Sequence, residues 1–283
     1  MKIFFTERPI SEENLKPFQT TTHTIQYPKE EIADIHTFDR SALIQTIKDL
    51  KPDVLVVKLK HVINEELLKD TFIKVVATQT TGLDLIDLEF CKQKNIEIIS
   101  LRGSDLTDLK AVSELCLAMM IVLMRTLEKP GHELRGKTLG LWGKGRIGTH
   151  MEDLGKKHGM NVIFYDPNVQ GGVSLEELLE KSEVISIHAT SDEVNRGMVS
   201  YEHFKQMKQC PFFLNSSRPW LVQDLERALN ENLISGAWVD FDLDFKHPKL
   251  ITTSHRGGDT WESLLKSEQI IVEKVLKYCQ NLI

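Results

Sequence analysis

Gly143, Gly145 and Gly148 sit where an apolar run, Thr138–Trp142, gives way to a helical pattern. Glycines at this spacing act through the backbone. The first permits a tight turn, the second lets the main chain approach a pyrophosphate, and the third lets the helix lie close to the strand, so the first free N–H groups of the helix face the anion. Arg146 and Ile147, inside the same turn, are read with the glycines as cofactor-binding residues. A second apolar run ends at Asp166, eighteen residues beyond Gly148. An acid there accepts hydrogen bonds from ribose hydroxyls and repels the extra phosphate of NADP, so the pattern predicts a dinucleotide site that prefers NAD. Lys144, between the glycines, reads as a solvated side chain.

The elements that must position this turn alternate strand and helix. Met1–Phe5, Val54–Val57, Lys74–Thr78 and Ile96–Ile99 read as strands, with helical patterns at Asp39–Leu50 and Asn64–Lys69. After Pro130-Gly131 a second series places strands at Thr138–Trp142, Asn161–Tyr165, Val184–His188, Phe212–Asn215, Gly236–Val239 and Leu250–Thr252. The alternation predicts an α/β chain of two doubly wound parallel-sheet lobes. Ala111–Arg125 is apolar on nearly all sides, which predicts a buried helix between the lobes. Glu262–Tyr278 is amphipathic and is expected to return to the first lobe. The expected domains are 1–110 with 262–283, and 111–261.

Composition excludes several other classes. The 283 residues are 41% apolar and 27% charged, with a net charge of −6, which offers no general attraction to nucleic acid or anionic lipid. Cys91, Cys116, Cys210 and Cys279 lie far apart, without zinc-ligand spacing or the density of a disulfide framework, so they read as buried thiols in a reducing compartment. The apolar run at Ile3–Phe5 is too short for a signal-peptide core, and Leu115–Met124 is far below a membrane span. The expectation is a cytoplasmic protein with no membrane partner, no nucleic-acid partner and no metal.

Taken in order, several segments resemble the D-isomer-specific 2-hydroxyacid dehydrogenase family over about residues 50 to 283. They are Thr81-Gly82-Leu83-Asp84-Leu85-Ile86-Asp87, Ala111–Glu114, the glycine turn, Ser182–His188, Asn215-Ser216-Ser217-Arg218, Gly236–Asp240 and Ile251–Gly258. The resemblance implies a Rossmann-type NAD-binding domain inserted in a flavodoxin-like substrate domain. It implies a hydride passed between nicotinamide and a small 2-hydroxy or 2-oxo acid, and a homodimer as a possible assembly. It places Ser216 and Asp240 among the cofactor-binding residues and assigns the substrate carboxylate to the backbone amides of Gln79, Thr80, Thr81 and Gly82. Negative charge develops on oxygen as hydride reaches a 2-oxo carbon, so a proton donor with a pKa near neutrality is needed, and His255 is that residue by resemblance. Arg218 supplies a planar guanidinium for the carboxylate and carbonyl.

The family's third catalytic residue is a glutamate that holds the histidine. The loop that carries it is contracted here to Asp240–Pro248 without a glutamate, leaving Asp242 or Asp244, of which Asp244 is preferred. His247 reads as a loop residue. Ser254 stands where a proline is usual, Gln79–Gly82 is poorer in glycine than the family's loop, and material that often contributes to dimer contacts is shortened after Arg125. Lys58, Lys60 and Arg102 read as solvated charge, with a second anionic group of the substrate as the alternative. The missing glutamate motivates a rival reading, an NAD(H)-binding sensor or interaction protein with weak or no turnover.

Overall fold

Short runs of β-branched and other apolar residues with no polar face persist only in a parallel sheet covered on both sides, and these runs pair in that way. The computed structural model describes residues 1–19, 21–28, 40–58, 61–127 and 130–281. Asp39 and Lys60 lie outside them. The chain divides into two units, Met1–Leu106 with Trp261–Ile283, and Thr107–Thr260.

In the first unit the strands are β1 (Lys2–Phe5), β2 (Thr24–Gln26), β3 (Val54–Val57), β4 (Val75–Thr78) and β5 (Glu97–Ile99), all parallel, in the order β2-β1-β3-β4-β5. This is a flavodoxin-like order, with the chain reversing direction across the sheet between β1 and β3. Helices α1 (Lys16–Gln19), α2 (Arg40–Leu50), α3 (Glu65–Leu68) and α4 (Leu88–Gln93) connect the strands. Leu43 and Ile47 of α2 pack with Leu55, Val57 and Val76 in one core. The edge strand β2 was not expected from the sequence; its Thr24-Ile25-Gln26 is polar at both ends and needs a neighbour on one side only.

The second unit opens with α5 (Ala111–Thr126) and carries β6 (Thr138–Trp142), α6 (Arg146–Lys157), β7 (Asn161–Tyr165), α7 (Leu175–Lys181), β8 (Val184–Ile187), α8 (Tyr201–Gln206), β9 (Phe212–Asn215), α9 (Leu225–Asn230), β10 (Gly236–Val239) and β11 (Leu250–Thr252). Its six strands are parallel in the order β11-β10-β9-β8-β6-β7. Successive strand residues enter opposite cores: Phe213 and Ile185 pack with Leu178 and Phe204, whereas Phe212, Leu214 and Val184 pack with Met120 and Met151. Tyr165, Trp142, Ile187, Asn215, Val239 and Thr252 are register partners, so all six strands end on one row. At about 4.8 Å per strand that edge is about 24 Å long.

The expected burial of α5 on all sides is corrected. Cys116, Met120, Leu123 and Met124 are buried, but Ile121 and Val122 are 38% and 37% exposed, because a sheet covers one face of a helix only. Cys210 is likewise half-buried rather than buried; it lies in a left-handed turn (φ 46°) and its thiol donates to the Asn232 carbonyl at 3.1 Å. The last helix, α10 (Trp261–Asn281), packs Ile271, Val272 and Val275 into the first unit. Its fully buried Glu268 accepts from the amides of Ile10 (2.7 Å) and Ser11 (3.0 Å) and from the side chain of Asn14 (3.0 Å), which ties the N-terminal loop to the helix.

Candidate active site

The sites expected in the second unit lie just past the common strand row. Gly143, Asp166, His188, Ser216 and Asp240 each stand one residue beyond it, and Arg218 and His255 stand three beyond on β9 and β11. This carboxyl edge is where open parallel sheets bind ligands.

At the turn after β6, Gly143 has φ 107°, and a Cβ there would lie 2.6 Å from the His188 carbonyl carbon. A Cβ on Gly148 would overlap the Gly143 carbonyl oxygen, while one on Gly145 would meet nothing within 4 Å. The turn is therefore closed on the protein side and open over Gly145, the N-cap of α6. Asp166 accepts from the amides of Lys144 (2.8 Å) and Asn168 (2.9 Å), so the acid ties the end of β7 to the turn. Lys144 is not solvated as expected: its side chain is 10% exposed and its ammonium pairs with Glu152. Arg146 is also committed, donating to the Leu109 carbonyl at 2.9 Å, and Ile147 packs into the core beneath α6.

His188 follows β8, its amide donating to Trp142 at 2.8 Å. Both of its ring nitrogens are enclosed without a hydrogen-bond partner. Burial pushes its pKa down to about 3, so the ring is neutral in the fold. The unfolded chain takes up a proton there below about pH 6.5 that the folded chain refuses, so stability falls as pH drops from about 6.5 toward 3, by at most about 1.4 kcal/mol per pH unit. His150 and His203, lowered chiefly by burial, add to this slope. In urea titrations between pH 7 and 4.5, His188→Leu is expected to flatten the fall in midpoint; a slope equal to that of the parent chain would assign it to other groups.

Next along the edge, Asn215 is fully buried and shapes the turn that carries Arg218. The Ser217 amide donates to its side-chain oxygen (2.9 Å), and its side-chain nitrogen donates to the Arg218 carbonyl (3.1 Å). The Arg218 guanidinium donates to the Ser217 carbonyl at 3.0 Å. Ser216 hydrogen-bonds the thiol of Cys116, which burial pushes up to about 12. In the sequence Asn215 stands only as part of the Asn215–Arg218 motif, and an asparagine closing an apolar strand run is the signal for its role.

His255 is exposed in the segment after β11, with φ 63°, and Ser254 before it has φ 48°. Two successive non-glycine residues in this region cost roughly 1–2 kcal/mol each, so surrounding bonds must hold them. Asp242, also exposed, accepts from the Ser254 hydroxyl at 2.6 Å. Asp244 is exposed, and His247 accepts from the Lys249 amide at 3.1 Å, which makes it a loop residue.

In the first unit, Gln79–Gly82 follows β4. The Gln79 amide is taken by the Val57 carbonyl (3.2 Å), which removes it from the expected carboxylate set; the amides of Thr80, Thr81 and Gly82 donate to none of the described residues. The Thr80 hydroxyl donates to the Gly82 carbonyl (2.7 Å), and Arg102, exposed as expected, donates to that of Thr81 (2.9 Å).

Residues 118–257 match the model of the NAD-binding domain of D-isomer-specific 2-hydroxyacid dehydrogenases. The chain belongs to that family. A D-3-phosphoglycerate dehydrogenase of Methanocaldococcus jannaschii is 27% identical over 88% of this chain, which spans 54% of that relative's length, about half. A hydroxypyruvate reductase of Thermotoga maritima is 26% identical over 84% of this chain and 88% of its own. Among solved structures, an NAD+-bound 3-phosphoglycerate dehydrogenase of Entamoeba histolytica superposes with a TM-score of 0.83, at 26% identity, over 100% of this chain and 96% of that one.

As a family member the chain carries an NAD-binding domain in its second unit, and the residues there fit the cofactor. The space over Gly145 leaves room for a pyrophosphate against the first amides of α6, and Asp166, one residue past β7, is the acid that would accept from ribose hydroxyls. Among the described residues, no three His, Cys, Asp or Glu side chains are grouped to hold a metal ion, and no helix is long and apolar enough to cross a membrane.

Proposed function

We propose that the protein is an NAD-dependent oxidoreductase that interconverts a small 2-oxo acid and its 2-hydroxy acid, as the family membership of the 118–257 segment suggests. The single observation that carries this reading is the shared strand row, which sets the glycine turn, Arg218 and His255 along one carboxyl edge of the second unit. When bound, the nicotinamide supplies the hydride. His255 gives a proton to the oxygen that becomes the hydroxyl, so hydride and proton together reduce the carbonyl. Arg218 orients the carboxylate and polarises the carbonyl, and the amides of Thr80, Thr81 and Gly82 offer further donors to a carboxylate. Its bond to Ser254 makes Asp242, rather than Asp244, the acid we assign to the support of the histidine.

The names of the relatives, hydroxypyruvate reductase and D-3-phosphoglycerate dehydrogenase, point to short 2-oxo acids with or without a phosphate. Mixing the protein with NADH and a panel of such acids is expected to consume NADH with at least one of them. NADH binding with no loss of its absorbance for any acid would favour the sensor reading, which the missing glutamate supports. A cytoplasmic setting belongs to the same proposal and is supported by four free cysteines. So does a homodimer, which the mass in solution tests.

A further inference from the structure

The loop after β4 is closed by hydroxyl groups. A carbonyl can only accept, so the bond from Thr80 to the Gly82 carbonyl (2.7 Å) uses the single O–H of Thr80, and the Thr78 hydroxyl, 2.9 Å from the Thr80 oxygen, must donate to it. The bonds run one way, from the 3% exposed Thr78 through half-buried Thr80 to the main chain of Gly82. The two preceding carbonyls are also taken, that of Thr80 by the Leu101 amide (3.0 Å) and that of Thr81 by the Arg102 side chain (2.9 Å). Lys274 of α10 holds the segment that supplies these donors, giving hydrogen bonds to the carbonyls of Ser100 (2.6 Å) and Arg102 (3.1 Å).

In a trans peptide the C=O and the following N–H point in opposite directions. Three carbonyls fixed on donors therefore turn the amides of Thr81, Gly82 and Leu83 away from those donors, and none of the three donates to a described residue. We propose that Thr80 is a positioning residue for the substrate carboxylate. Its hydroxyl, aligned by Thr78, fixes the peptide after Gly82 and so sets these successive N–H groups as a cradle for an anion. A loop poor in glycine is thus held in shape by side-chain bonding to its own backbone. Without the hydroxyl the Gly82 carbonyl loses its donor, and the peptide can rotate until its amide no longer faces the anion.

The inference rests on the proposed 2-oxo acid site, so its test has readouts with and without turnover. Thr80→Val, Thr80→Ser and Thr78→Val are compared with the parent chain in three ways: backbone NMR order parameters, titration with the unreactive 2-oxo acid analogue oxamate at saturating NADH, and steady-state kinetics with a 2-oxo acid. In the parent, residues 81–83 are expected at the rigid level of about 0.85, with amide resonances that move as oxamate is added. In Thr80→Val the order parameters are expected to fall toward about 0.6. The Kd for oxamate and the KM are expected to rise roughly 10-fold, as for loss of one hydrogen bond to a charged group, with kcat within about threefold. That split marks lost binding rather than a distorted fold. Thr80→Ser, which keeps the hydroxyl, is expected to recover most of the loss, and Thr78→Val to lie between Thr80→Val and the parent. Order parameters in Thr80→Val equal to the parent's overturn the inference whether or not any acid is reduced. Resonances of 81–83 that ignore oxamate overturn the carboxylate role, and if a 2-oxo acid is still reduced the dehydrogenase reading stands without it. Oxamate binding at these amides with no acid reduced does the reverse, supporting the cradle and removing the dehydrogenase. Should Thr80→Val fail to fold, order parameters and an oxamate Kd in Thr78→Val equal to the parent's overturn the inference as well.

Discussion

Replacing His255 is expected to lower kcat/KM by roughly 10²-fold or more, the usual scale for loss of a general acid, with NADH affinity held within about twofold. The reasoning separates the ring from the backbone. The bond that fixes this position is made by the His255 amide to the Asp240 carbonyl, and the side chain is exposed, so its removal leaves no cavity. Alanine would nonetheless strain a residue with φ 63°, at about 1 kcal/mol, whereas asparagine tolerates left-handed backbone. His255→Asn is therefore the cleaner variant: it keeps the fold and a polar tip but has no group that titrates near neutrality. Steady-state kinetics on both variants, with NADH titration as control, gives the answer. A decline smaller than tenfold in His255→Asn would take the imidazole out of the mechanism, and a matching loss of NADH affinity would move it to the cofactor.

Much of this edge was legible in the sequence because strands buried on both faces leave few choices. Five of the six strands of the second unit have the bounds read from the sequence, and the sixth, β8, ends at Ile187 rather than His188, whose amide still continues the ladder to Trp142. The glycine turn was legible because its spacing is dictated by close backbone approach, and the positions of Gly143 and Gly148 against neighbouring carbonyls give the physical reason.

What escaped sequence reading were roles set by partners distant in the chain. Lys144 looks like any lysine until Glu152, two turns into the helix, takes its charge. Arg102 is surface charge that also meets the Thr81 carbonyl, and which acid takes the Ser254 hydroxyl, Asp242 or Asp244, depends on how that turn is folded. Asn215 and Asp240, both buried at strand ends, hold the two loops that carry Arg218 and His255. Their hydrogen-bond partners are set by turn geometry, which composition and periodicity do not encode.

The second and third glycines of the turn separate folding from binding. Gly148→Ala is expected to destabilise the protein by about 3 kcal/mol or more, since its methyl group would overlap the backbone oxygen of Gly143, which no side-chain rotation relieves. Gly145→Ala is expected to cost under about 1 kcal/mol: its backbone is extended (φ −72°, ψ −163°), open to any residue, and its methyl meets no protein atom within 4 Å. That same open space is where a pyrophosphate must approach. The methyl group would hold the anion off the first amides of α6, and loss of one or two charge-assisted hydrogen bonds corresponds to a roughly 10- to 100-fold rise in the Kd for NADH. Thermal unfolding and NADH titration of both variants check the pair. The outcome that would end the dinucleotide assignment is a Gly145→Ala protein that folds normally and binds NADH as tightly as its parent, because no cofactor lying across this turn tolerates a methyl group at its centre.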